Sequence, residues 1–145
     1  MKKPFLLLSL LLISAASFAQ TKLADEFPAI MKARNADPEG YLRAHTTPDM
    51  VFIAGHDGSM QNKDWLLSLF KGQKSHHTDI TNLKIQQSGD LAVATGISTI
   101  AIETTEGKSQ SYKDAFTYTL RWLNNNGSTA QWMLTNMQHT KLEYK

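Results

Sequence analysis

The stretch from Tyr112 to Leu142, YKDAFTYTLRWLNNNGSTAQWMLTNMQHTKL, constrains the fold more than any other part of the chain. It holds two runs of period-two alternation on either side of a polar, glycine-containing segment. In the first run Phe116, Tyr118, Leu120 and Trp122 share one face, with Ala115, Thr117, Thr119 and Arg121 on the other. Successive side chains of a pleated strand point to opposite faces, so the pattern predicts a strand with one aromatic side. In the second run Trp132, Leu134, Asn136 and Gln138 fall together, opposite Met133, Thr135, Met137 and His139. Asn124-Asn125-Asn126-Gly127 tolerates positive φ, which predicts closure as an antiparallel hairpin. Strands of about ten residues are longer than the usual 5–6 or so. Bent strands of that length need a large body to wrap around.

The rest of the chain supplies that body after a leader. Lys2-Lys3, the apolar run Phe5–Ile13 and the small residues flanking Phe18 read as a secretory signal peptide, Met1–Ala19. The apolar run is shorter than the ~20 residues a spanning helix needs. Residues 20–145 then form a single domain of ordinary size, in a periplasmic or secreted setting. Without Lys2 and Lys3, 13 of the 15 basic residues remain, against 13 acidic ones. A formally neutral domain implies no nucleic-acid partner and no stable membrane association once the leader is gone. Cysteine is absent, so an exported chain must rely on its core rather than on disulfides.

Leu23, Phe27, Ile30 and Met31 recur at helical spacing, with Pro28 inside the stripe. Asp37-Pro38 restarts a helix by capping it, and Tyr41, Leu42 and His45 belong to that second helix, which Thr47-Pro48 ends. Met50–Ala54 reads as a short strand followed by the turn His56-Asp57-Gly58-Ser59. Asn62 caps a third helix with the stripe Trp65, Leu66, Leu69 and Phe70. From Thr78 on, strands follow one another: Asp79–Gln87 with Leu83 and Ile85 on one face, Leu91–Ile102 covered on both faces, then the hairpin. Helices gathered first and a meander second predict α+β, a cone in which N-terminal helices pack on a strongly curved antiparallel sheet.

The aromatic–threonine strand ending at Arg121-Trp122, the polar turn, Trp132-x-Leu134 and the ending Gln138-His139-Thr140 resemble the last hairpin of the nuclear-transport-factor-2-like superfamily. Within it the chain looks most like the SnoaL-like members. The resemblance spans the whole of residues 20–145 and implies the same helix and strand order. It also implies a homodimer, since many members pair through the convex face of the sheet. The superfamily includes ketosteroid isomerase, which needs a carboxylate base and an oxyanion hole of a tyrosine and a protonated aspartate. Aligned through Asn35-Ala36 and the first strand, the base falls near Ala54 and the tyrosine near Ile30, and neither residue type is present. The third position falls close to Tyr118. Asp57 could replace the base only with a strand shift of about three residues, so the resemblance carries the fold and speaks against this reaction.

A cone of this kind leaves a cavity, the default place for a small ligand. Tyr118 is the first candidate for contact, because a buried hydroxyl needs a partner; a bond to a helix backbone would satisfy it equally well. Strand parity turns Asn136 and Gln138 inward with Trp132, and His139 outward. His45 is placed at the cavity mouth or in a structural bond to backbone. Walls are expected from Phe52, Trp65, Phe116 and Trp132. His76-His77 reads as a solvated loop pair whose side chains diverge, and His56-Asp57 as a turn. No His-x-His or His-x-x-x-His spacing occurs, so the sequence implies no metal site and no cofactor. Two functions remain open: binding, with or without transformation, of a small apolar molecule in the cone, or a non-catalytic dimeric interaction module with a filled cone. The strip Met133, Met137, Thr117 and Thr119 is the expected dimer surface.

Overall fold

Helix α1 (Leu23–Ala36) opens the computed structural model, which describes residues 22–123 and 129–144. The expected leader and the turn Asn124–Gly127 lie outside those residues. α1 runs through Pro28 and buries Leu23, Phe27 and Arg34, one stripe at spacings of four and seven. Both ends of the helix are tied to the sheet. The Leu23 amide donates to Gln87 Oε1 at 2.9 Å, and the Asn35 side-chain amide bonds both the carbonyl and the amide of Thr78, each at 2.9 Å. Helix α2 (Pro38–His45) begins on the Asp37 cap, whose carboxylate accepts from the Gly40 amide.

Strand β1 (Thr46–Ile53) follows directly, and β2 (Met60–Asn62) folds back on it after the His56–Ser59 segment. The sequence pattern did not distinguish β2, which is three residues long. Pro48, expected only to end the helix, falls inside β1 where its pairing breaks register between Thr46 and Val51. Helix α3 (Lys63–Ser68) starts on Asn62, whose side chain accepts from the Trp65 amide at 2.9 Å. Leu66 and Leu67 are its buried pair, while Leu69, just past its end, is 41% exposed.

Four long strands complete the sheet: β3 (Gln73–Ser88), β4 (Leu91–Thr104), β5 (Ser109–Leu123) and β6 (Gln131–Tyr144). The strand order is β2-β1-β6-β5-β4-β3. β3 to β6 form the antiparallel meander, and β1 joins β6 in parallel, so the six-stranded sheet is mixed and does not close. Helices on one face of that sheet give the α+β cone. β4 presents small residues to this face. Ala92, Ala94, Gly96 and Ser98 stand opposite Leu120, Tyr118, Phe116 and Asp114 of β5. A Cβ at Gly96 would sit 2.9 Å from the Thr81 carbonyl oxygen and 3.0 Å from the Phe116 ring, so the ring needs the missing side chain.

Among the register shifts of the sheet, two bulges re-aim side chains next to the core. In β3, Asn82 (φ 54°) and Leu83 together face the single residue Gly96 between the pairs Thr81–Ile97 and Lys84–Thr95. Leu83 is therefore 40% exposed while Ile85 packs on the core, which separates two residues expected on one face. In β6, the pairing steps from Leu120–Leu134 to Thr119–Asn136, leaving Thr135 unpaired. Before the bulge Trp132 and Leu134 face the core; after it Met137 and His139 do.

Candidate functional site

The inner face of the sheet and the α3 segment enclose a cavity of about 480 Å³. Phe52 of β1, Ala54 just past its end, and Trp65, Leu66 and Phe70 from the α3 region form its apolar wall. Ile100 and Ile102 of β4 and Met137 of β6 form the apolar floor. Phe52 stacks on Trp65 with ring centres 5.4 Å apart, fixing that wall. Gly55 lets the end of β1 close on β6: a Cβ there would lie 2.9 Å from the His139 carbonyl oxygen.

At one end of the cavity the polar groups form a continuous chain. Arg34 Nη1 donates to the Tyr118 hydroxyl oxygen at 2.9 Å. That hydroxyl lies 3.3 Å from His139 Nε2, and His139 Nδ1 lies 3.1 Å from Asp114 Oδ2. A carboxylate accepts from Nδ1–H, so Nε2 is the bare nitrogen and receives the Tyr118 proton. Arg34, Tyr118, His139 and Asp114 are all buried. Burial, with the Arg34 charge adding to it, holds the His139 pKa below the ordinary histidine value despite the bond to Asp114. A neutral imidazole is the form this chain of bonds requires. Both its nitrogens are engaged by protein groups, so His139 acts here as a positioning element between Asp114 and Tyr118 rather than as an uncommitted base.

His76 adds a second, half-buried imidazole beside this end. It packs edge-on to Phe70 at 5.1 Å and bonds Gln73 Oε1 through Nδ1 at 3.1 Å. Burial, then the nearby Arg34 charge, pushes its pKa down to about 4. His77 points the other way and meets Asp79 at the surface, so the pair diverges within strand β3 rather than lying in a loop. His56 reaches the cavity rim, paired with Asp57 at 3.3 Å where both side chains are half exposed.

The expected site residues divide into three groups. Phe52 and Trp65 line the cavity. Tyr118 and Phe116 are buried beside one another, 4.4 Å between ring centres, and touch the cavity only through partners; Trp132 lies farther along the core against Trp122. Asn136, Gln138 and His45 do not reach it. The bulge at Thr135 reverses the expected parity, so Asn136 and Gln138 face away and His139, expected outside, is only 7% exposed. His45 stacks on Tyr41 with centres 4.4 Å apart, off the cavity. The expected dimer strip changes too: the bulge turns Met137 inward, to 1% exposure, and Met133, which precedes the bulge, is also buried, at 3%. Ala54, the position aligned with the isomerase base, lines the cavity and offers no carboxylate.

Arg34 and Asp114 were not singled out by the sequence pattern, and His76 was read as solvated, yet the first two carried a signal. Arg34 extends the Leu23–Phe27–Ile30 stripe by one more turn, and Asp114 extends the inward parity of Phe116 and Tyr118 by one more step. A charged residue continuing an apolar face is the mark of a functional or buried-network position. Among the described residues no three His, Asp or Glu side chains gather as a metal group, and no helix is long and apolar enough to cross a membrane.

No family model matches the chain, and no curated protein matches it either. Solved structures do. An NTF2-like protein of unknown function in nutrient uptake from Rhodospirillum rubrum superposes with a TM-score of 0.70 at 16% identity, covering 85% of this chain and 100% of that one. A proposed scytalone dehydratase from Novosphingobium aromaticivorans gives 0.65 at 10% identity, over 85% of this chain and 83% of that one. The CaMKII hub of S. rosetta gives 0.60 at 13% identity, over 83% and 94%. These proteins differ in what they are described as doing, so the likeness speaks of architecture. The chain has the nuclear-transport-factor-2-like fold.

Proposed function

We propose that the domain is exported and binds a small, largely apolar molecule in the cone cavity. The observation that carries this reading is the open volume of about 480 Å³ between the Phe52–Trp65 stack and Met137. Drug-sized and metabolite-sized ligands occupy pockets of roughly 300–1,000 Å³ with mostly apolar walls and few polar groups. A domain serving only as a scaffold gains stability by filling such a space, because a void forfeits packing contacts. The buried chain from Asp114 to Arg34 supplies the polar end. Its bonds are internally complete at His139, which favours binding over proton transfer as the role of this site.

The likeness to a CaMKII hub supports a second reading, an interaction module that forms a homodimer. The two readings are separable in one experiment. Native mass spectrometry of the protein recovered after export should show a chain beginning at or near Gln20, carrying a noncovalent adduct that mild activation removes. The same spectrum reads monomer or dimer. A bare chain that also gains no adduct from a cell extract, at any oligomeric state, would leave the module reading in its place.

A further inference from the structure

We infer that the molecule held in the cavity carries a carboxylate, and that Arg34 receives it; this rests on the small-molecule reading above. Arg34 lines the cavity yet is only 6% exposed, on the buried stripe of α1. Among the described residues its guanidinium forms no ion pair and one hydrogen bond, from Nη1 to Tyr118. Nε is buried with no partner at all. The other contact is the face of the Tyr118 ring, 5.6 Å from the guanidinium carbon. A charge taken out of water is ordinarily matched by an opposite charge, since its desolvation is costly. Asp114 is the one carboxylate among the cavity-lining residues, and it is bonded to His139.

The geometry narrows the class of anion. With Nη1 engaged by Tyr118, the guanidinium keeps its Nε–Nη2 edge; Nε lies beneath the surface, so Nη2 is the donor that meets a carboxylate oxygen. The Asp114–His139–Tyr118 chain fixes that edge in place. Lys71 also lines the cavity, so cationic groups outnumber the single acid there. Phe52, Trp65, Phe70, Ile100, Ile102 and Met137 give the cavity its apolar part, and Gln73, His76, Thr104 and Gln110 add neutral polar groups. The occupant that suits this arrangement is an apolar skeleton ending in one carboxylate.

Matched pairs of carboxylates and primary amides on one skeleton test this: phenylacetate against phenylacetamide, naphthylacetate against its amide, octanoate against octanamide. They are titrated calorimetrically into the purified protein and into Arg34→Met. For the skeleton that fits, the acid should bind about tenfold or more tighter than its amide. Arg34→Met should bring the acid down to the level of the amide and leave the amide unchanged. If that variant does not fold, Arg34→Lys decides, because it keeps the charge, loses the guanidinium and should cut the acid preference severalfold. Acid and amide binding equally well, or an acid preference that survives both substitutions, would overturn the role of Arg34 while leaving the cavity a binding site. Neither series binding at millimolar concentration would overturn both.

Discussion

Tyr118 holds two neighbours at once. Its oxygen accepts from Arg34 Nη1 and its proton goes to His139 Nε2, so one hydroxyl joins the guanidinium to the imidazole–carboxylate pair. Replacing it with phenylalanine keeps the ring but leaves a buried donor and a buried acceptor without partners. Each unmade bond of this kind costs about 1–3 kcal/mol. Tyr118→Phe should therefore lower the urea midpoint by a corresponding amount with the cooperativity of unfolding unchanged. An unchanged midpoint would show that the hydroxyl does not anchor Arg34 and His139. The sequence reading left open whether this hydroxyl serves a ligand or the protein. Its two bonds go to side chains, not to a helix backbone, and its place is one layer behind the cavity.

At the scale of the element, one unpaired residue decides what β6 shows to the cavity. The hairpin, its aromatic face and the turn-to-strand order were legible because period two persists over many residues of β5. β6 carries the same period only up to Leu134. The bulge at Thr135 moves the side chains from Asn136 to Lys141 to the opposite face, as a one-residue slip must. No glycine or proline marks the position, so a uniform pattern read from Trp132 onward assigns Gln138 to the inside. The bulge at Asn82 misled the reading of Leu83 in the same way. This makes a sharp prediction. Met137→Glu should destabilise the domain by about 3 kcal/mol or more, because it buries a carboxylate without a partner. Gln138→Glu, next in the chain, should stay within about 0.5 kcal/mol of the parent. Equal effects would contradict the register of β6. The expectation that Met137 belongs to an exposed dimer surface does not fit a side chain at 1% exposure.

For the whole molecule, the cone was readable and its contents were not. Helices first and strands later, with capped starts at Asp37 and Asn62, dictated α+β packing with little ambiguity. The cavity, by contrast, depends on which faces of five strands and two helices meet, and on residues far apart in sequence. Arg34 and Tyr118 are separated by 84 positions, His139 and Asp114 by 25. Only their strand and helix parity hinted at a meeting, and a bulge hid half of that. What the fold builds from them is an aromatic-walled space with a fixed cation at one end. Its occupation by a small molecule is the central claim, and chemical-shift mapping tests it most directly. Titrating the naphthyl and octanoyl compounds into isotope-labelled protein should shift the Trp65 indole N–H and the Met137 methyl saturably, and leave the Trp122–Trp132 pair in place. Saturable shifts confined to Trp122, Trp132 or the outer face of the sheet, with Trp65 and Met137 silent, would show that the cone is not where this protein binds.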